Sequence, residues 1–444
     1  MKRTVFGLVT PLVVLILLIP ISPAFSNQIK VGGKCSHIGE WTSLSNGTQI
    51  ICKKASNGKL TYVLGHGSQV KPNGARPTAP MGSISSSTPN LNALPKCSNT
   101  TLLNTIPVDL SKFTEIIPLG SINPPDHAIP SDHMGFSYIN SGDSADLVSP
   151  GKIVVTSVMN SGETIMKNGV STPIANDYAI YFSPCKGTTL YFGHVGSLSG
   201  KFNQLFKSAK LDQPCQHNTP APGEQTFYCR KSMDVALSPG EPLGIAGGEP
   251  ALHGLDFGAR VDGYADPGFV RPERSPSSAA AVCPLDYFDA ASKSALYAKI
   301  LRKGTPRCGQ VGQDVKGTAQ GDWYSTTDVQ KGMQDWSTNL SLVHNYRNPA
   351  LGELGVAGVI TNPEDFIFIP THSGTINREP SEVTLGPIYC YQDDAHAQYP
   401  DIDRGGPTGS FLIQMIDGQE MNISFQTSQC SEPYSFVSPT KYYR

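Results

Sequence analysis

Six side chains between positions 127 and 256 are of the types that metal-assisted hydrolysis uses: His127, Asp132, His133, His194, His253 and Asp256. A zinc hydrolase takes three protein ligands, keeps one position open for water and needs a base to accept the water proton. Other chemistries find less in this chain. It has no Gly-x-Ser-x-Gly nucleophile elbow, no Walker loop and no Gly-x-Gly-x-x-Gly turn. Asp393, Asp394, Asp401 and Asp403 sit among loop-forming residues and read as solvated turns rather than as a glycosidase pair. His217, His344, His372 and His396 are each isolated among loop residues and read as hydrogen-bonded surface groups.

The segments that must position the six are short β-strands broken by glycine and proline, of which the chain has 44 and 36. Apolar patterning places strands at 152–159, 178–182, 188–194, 366–369, 411–416 and 421–426. One helix is expected over 286–303, where Phe288, Ala295, Leu296 and Ile300 share a face and Gly304-Thr305-Pro306 ends it.

Several spaced motifs between residues 113 and 265, about a third of the chain, keep the order found in lysostaphin-type (LytM-like) zinc endopeptidases. They are His133-Met134-Gly135-Phe136-Ser137, Phe192-Gly193-His194, Ser238-Pro239-Gly240-Glu241-Pro242-Leu243-Gly244 and Gly254-Leu255-Asp256-Phe257. The region resembles that family, whose members cut peptidoglycan cross-bridges. The resemblance implies a barrel-sandwich fold of the duplicated hybrid motif type. It also implies His133 as a metal ligand and His194 as the catalytic base. Three further family positions are changed: Ser137 stands for the ligand aspartate, Gly254 for a base histidine and Asp256 for a ligand histidine. Asp256 could still bind a metal through oxygen, with His127, His194 or His253 as the third ligand. Restoring the family pattern by Ser137→Asp, Gly254→His and Asp256→His is expected to improve metal binding.

The chain is 39% apolar and 16% charged, a globular composition. Lys2 and Arg3 precede an apolar run from Val5 to Ile19, and Ala24-Phe25-Ser26 offers the small residues of a signal-peptidase site, so residues 1–26 read as a signal peptide. An uncleaved anchor is the alternative, disfavoured by Pro11 and Pro20. Without Lys2 and Arg3 the chain carries 32 basic and 36 acidic side chains, a formal charge of −4, which gives no electrostatic footprint for nucleic acid. All ten cysteines follow the leader and none forms a Cys-x-x-Cys pair, so they read as disulfides of an exported protein. Sequence proximity favours Cys35–Cys52, Cys215–Cys229, Cys283–Cys308 and Cys390–Cys430, leaving Cys97–Cys185.

The expected architecture is mainly β. A small two-cysteine module (27–64) and a flexible linker (65–96) precede the lysostaphin-like β domain (97–265), and a disulfide-secured β-rich extension with one helix (266–444) follows. In the extension Trp323 reads as the buried cap of a tight loop, with carbohydrate contact by Trp323, Tyr389 and Tyr391 as the lesser alternative. The functional expectation is a secreted cell-envelope protein that has lost hydrolysis and acts as a binding or regulatory module, with no cofactor and a cell-wall or peptide ligand. The alternative is a metal-dependent endopeptidase with zinc held in a rearranged site.

Overall fold

The computed structural model describes residues 102–444, except the short segments 125–126, 141, 168–169, 219–223, 248–253, 395–396 and 398–408. Nearer the N-terminus it describes residues 30, 34, 41–43, 49–54, 59–64 and 94–97. The chain divides into two units, Met1–Lys71 and Pro72–Arg444. In the first unit, β1 (Trp41–Ser43), β2 (Gln49–Lys54) and β3 (Leu60–Leu64) form a three-stranded antiparallel sheet in chain order. The signal-peptide segment and Cys35, with its expected partnership to Cys52, lie outside the described residues.

The second unit is mainly β and holds two sheets. The strands of the first are β4 (Phe113–Ile117), β5 (His133–Tyr138), β6 (Ser144–Val148), β7 (Ile153–Lys167) and β8 (Val170–Ser183). They continue with β9 (Thr188–Leu198), β10 (Gln216–Asn218), β11 (Glu224–Leu237), β12 (Pro242–Gly247) and β13 (Gly254–Val261). Their order is β10-β11-β7-β8-β9-β13-β5-β4, with β12 paired to both β6 and β9. Period-two alternation decides what each face does. In β5, Met134, Phe136 and Tyr138 are buried, whereas His133, Gly135 and Ser137 share the other face. On the buried face Phe182, Phe192 and Phe257 stack in sequence, with ring centroids 5.1 and 4.9 Å apart.

The second sheet comprises β14 (Gly321–Tyr324), β15 (Asn339–His344), β16 (Gly352–Val356), β17 (Glu364–Phe368), β18 (Tyr389–Tyr391), β19 (Ser410–Met415), β20 (Glu420–Gln426) and β21 (Thr440–Tyr443). Its order is β17-β16-β15-β14-β21-β20-β19-β18, and it curls into a near-closed barrel. The two edges meet through the segment after β18: Asp394 N donates to the Ile367 carbonyl at 2.9 Å, and Ile367 N donates to the Asp393 carboxylate at 3.0 Å. Phe366 and Phe368 of one edge pack on Phe411 and Tyr391 of the other, at 5.0 and 5.1 Å between centroids. Edge pairing of this kind leaves few open ladder groups for another chain to occupy.

The six strands expected from sequence are present, most of them longer. The helix is not as expected: instead of 286–303, a 3₁₀ turn covers Pro284–Tyr287 and the helix proper spans only Ala290–Tyr297. Asp289 caps it by accepting from Ser292 N at 2.7 Å, and its end is set by competition, because the Lys299 carbonyl accepts from Ile116 N at 2.9 Å. Phe288, Leu296 and Ile300 are all buried as expected, though only Leu296 is helical. A further helix, Gly200–Ser208, lies inside the first sheet's connections and buries Phe202 and Phe206.

Two hydrophobic cores divide the second unit. The first runs from Leu103 to Val311 and the second from Ala319 to Tyr442. Residues 266–311, grouped on sequence with the extension, thus give Phe269, Leu285, Phe288, Leu296 and Ile300 to the first core. Cys215–Cys229, Cys283–Cys308 and Cys390–Cys430 are bonded, as proximity in sequence suggested, and so is Cys97–Cys185, the pair left over. Among the described residues no helix is long and apolar enough to cross a membrane.

Candidate functional site

Three adjacent strands bring the candidate residues to one face. Asp256 of β13 pairs across to Gly135 of β5 on one side and Gly193 of β9 on the other, so its carboxylate stands between two positions without side chains. A Cβ at position 193 would lie 3.1 Å from Asp256 Oδ2, so glycine is what gives the carboxylate room. His133, two residues before Gly135, shares the face by ordinary alternation. His194 reaches it by a different device. Between Tyr178↔Val195 and Ile180↔Phe192, β9 advances one residue more than β8, a bulge in which His194 takes φ 58°. Left-handed backbone at a non-glycine residue costs about 1–2 kcal/mol and re-aims the side chain.

The result is a linked set. Asp256 Oδ2 lies 3.4 Å from His133 Nε2 and 3.4 Å from His194 Nε2. The far nitrogen of His194, Nδ1, is 2.9 Å from Asp177 Oδ2, a contact that fixes the ring's orientation and makes Nε2 the nitrogen facing Asp256. Exposure rises across the set, from 12% at the His133 side chain to 22% at Asp256 and 40% at His194, so it opens to solvent on the His194 side.

Asp132 stands at the edge of this set, 4.0 Å from His133 Nδ1, and is held mainly by other partners. It accepts from Arg260 Nε at 3.2 Å and Nη2 at 2.7 Å, and from the Tyr191 hydroxyl at 3.0 Å. Burial would raise its carboxyl pKa, but Arg260, His133 and the Tyr191 hydrogen bond together outweigh burial and hold it below the ordinary value. The guanidinium of Arg260 also lies 4.9 Å from the centre of the Tyr191 ring. Burial, and after it the Asp132 charge, push the Tyr191 hydroxyl well above its ordinary range, so it serves as a donor only.

Of the other candidates, His127 has its ring 5.0 Å from that of His133. His253 lies outside the described residues. Ser137 and Gly254, two of the three changed family positions, are register partners on the same face. Gly254 corrects one sequence expectation. A Cβ there would stand 2.6 Å from the Phe136 carbonyl oxygen, so Gly254→His cannot restore a base without moving the backbone. Even Gly254→Ala should destabilise the protein by about 1–3 kcal/mol, the usual range for overpacking, measured as a shift in urea midpoint. A neutral result would mean the two strands have slack at this point.

A cleft of about 450 Å³ adjoins the site. Asp132, His133, Tyr181 and Arg260 line it from the first sheet, and Tyr324 and Asn339 from the second. Trp323, Tyr389 and Tyr391 do not serve it as carbohydrate contacts: all three are buried, and Trp323 donates from Nε1 to the Ala319 carbonyl at 2.8 Å, as a loop cap does. Sequence reading missed Asp177, Arg260 and Arg274. Arg260 had a signal, since Asp256, Gly258 and Arg260 alternate onto one face of a strand. Asp177 had none, because only the β8–β9 pairing brings it to His194.

No protein-family model, curated protein or solved structure matches this chain.

Proposed function

We propose that this chain is an exported, disulfide-bonded protein of the cell envelope in which a lysostaphin-type β domain binds a peptide or cell-wall ligand without hydrolysing it. The observation that carries the reading is the close approach of Gly254 to the Phe136 carbonyl, which leaves no space for a base side chain at that position. Counting supports it. Hydrolysis needs three ligands and a base, and among the described residues the linked set supplies three side chains, His133, His194 and Asp256, for those four roles, with the His127 ring 5.0 Å from that of His133. Asp132 is neutralised by Arg260, and Asp177 is engaged by His194, so neither is available as the base. Four disulfides and the cysteine-free leader fit export.

A second reading, a metal-dependent endopeptidase, is favoured by one specific feature. Ligands at about 2.1 Å from a tetrahedral zinc stand about 3.4 Å apart, which is the separation of Asp256 Oδ2 from both His133 Nε2 and His194 Nε2. The donor set therefore suits a divalent cation, although among the described residues no three His, Cys, Asp or Glu side chains close a metal cage. His133, His194 and Asp256 would hold it, with Asp177 orienting His194 from behind. A zinc ion there would act as a Lewis acid on a ligand oxygen. His194 would then be spent as a ligand and could not also serve as the base.

The test is metal content and turnover on protein prepared from an oxidising compartment. Expected is no cleavage of purified peptidoglycan or glycine-rich cross-bridge peptides, with or without added zinc. Near-stoichiometric zinc lost in His133→Ala, together with zinc-dependent cleavage abolished by His194→Ala, would replace the binding reading with the second one. N-terminal sequencing of exported material should begin at Asn27.

A further inference from the structure

The wall of the cleft carries a buried cation that no carboxylate contacts directly among the described residues. Arg274, which follows the first sheet and lines the cleft, is 4% exposed. Its Nη2 donates to the Thr326 carbonyl at 2.6 Å, and its guanidinium lies 4.3 Å from the centre of the Tyr324 ring. Its Nε is buried and has no hydrogen-bond partner, and no carboxylate pairs with Arg274 among the described residues. The nearby acids are committed elsewhere. Glu273 pairs with Arg271, Asp328 caps the helix Val329–Gln334 by accepting from Lys331 N at 3.1 Å, and Asp132 is saturated by Arg260. Glu273 and Asp328 act on the Arg274 guanidinium only through space, while burial disfavours its charge, and an anion that arrives from outside and bonds it directly removes that cost.

The rest of the cleft indicates what bears that anion. Trp336, 54% exposed, offers a bare indole beside the opening, and Tyr181 and Met333 give further apolar surface. A volume of about 450 Å³ suits a short peptide segment better than a bare ion. We propose that the cleft between the two sheets binds a peptide through its free carboxylate, with Arg274 as the counter-ion and Trp336 against an adjoining residue of the ligand. The proposal deepens the binding reading and rests on it for the ligand class. It does not depend on whether His133, His194 and Asp256 hold a metal, so the zinc and cleavage assays can fail independently of it.

The experiment is calorimetric titration of the full mature chain with acetyl-Ala-Ala, with its C-terminal amide and with inorganic phosphate. The acid should bind at least about tenfold more tightly than the amide, the order expected for one charge-assisted hydrogen bond in a desolvated site. Arg274→Gln should erase the difference between acid and amide. Trp336→Ala, an exposed position that leaves the fold intact, should weaken both. Equal affinity of acid and amide in the unmodified protein overturns the proposal, as does no binding of the acid up to about 10 mM. A folded Arg274→Gln that still prefers the acid overturns it too. Tighter binding of phosphate than of the acid would reassign the site to a phosphate and overturn the peptide assignment.

Discussion

Arg260→Met is expected to lower the unfolding free energy by about 2–4 kcal/mol, somewhat less than for a fully buried pair because the guanidinium is partly exposed. The loss comes from what remains. Without Arg260 the Asp132 carboxylate keeps the Tyr191 hydroxyl at 3.0 Å and His133 Nδ1 at 4.0 Å, and nothing replaces the two guanidinium bonds. The pH dependence identifies the cause. Burial raises the Asp132 carboxyl pKa, but Arg260 and its other partners hold the folded-state value below the unfolded one. The folded protein therefore binds fewer protons, and the stability Asp132 contributes is present above about pH 4 and lost as pH falls through the folded value. In the variant only His133 and the Tyr191 hydrogen bond still oppose burial, so the Asp132 carboxyl pKa rises, and the penalty is largest at neutral pH and fades on acidification. Urea midpoints of the two proteins should differ most near pH 7 and converge only as pH falls below about 4, and Asp132→Asn added to Arg260→Met should recover part of the loss. A gap that stays constant with pH would show that Arg260 acts through packing on Tyr191 alone.

The same ion pair illustrates which parts of the molecule were legible in the sequence. His133, His194 and Asp256 were found because each sits in a local motif, and the sheet brings them together. Asp177, which orients His194, and the cleft residues Arg260 and Arg274 find their partners through strand pairing and loop packing over long separations, and of the three only Arg260 left a local pattern. Strands such as β7 to β9 were visible through their apolar runs, but β11 was not. Arg230, Lys231 and Asp234 interrupt its pattern, yet Met233 and Leu237 are buried. The helix was overextended because Ile300 is apolar at helical spacing from Leu296, although it serves a bridge to Ile116 instead. Neither the bulge at His194 nor the crowding at Gly254 can be read from residue types, since both follow from register.

Trp323→Ala is expected to cost about 3–5 kcal/mol, the range for deleting a large buried aromatic side chain. Trp323 is fully buried in the second core, pairs in register with Leu340 and ties the 315–320 loop down through its Nε1 bond to the Ala319 carbonyl. The Arg444 guanidinium lies 4.2 Å from the ring centre and donates to the carbonyls of Val315, Thr318 and Gln320. Removing the indole leaves a cavity, orphans the Ala319 carbonyl and loosens the cation that faces Asp314 and Asp322. Burial, with Asp314 as the next cause, already pushes Asp322 well above the ordinary carboxylate range. Because the two cores share no residue, the damage should fall on the second sheet first. Calorimetry should then resolve a lower-melting transition from one near the original temperature. Tyr324 and Asn339, which line the cleft, are neighbours of Trp323 and of its partner Leu340, so affinity for acetyl-Ala-Ala should fall in the same temperature range. A single cooperative transition, displaced as a whole and accompanied by full retention of the peptide affinity, would show that the two sheets unfold together and that the cleft does not depend on the second sheet's packing.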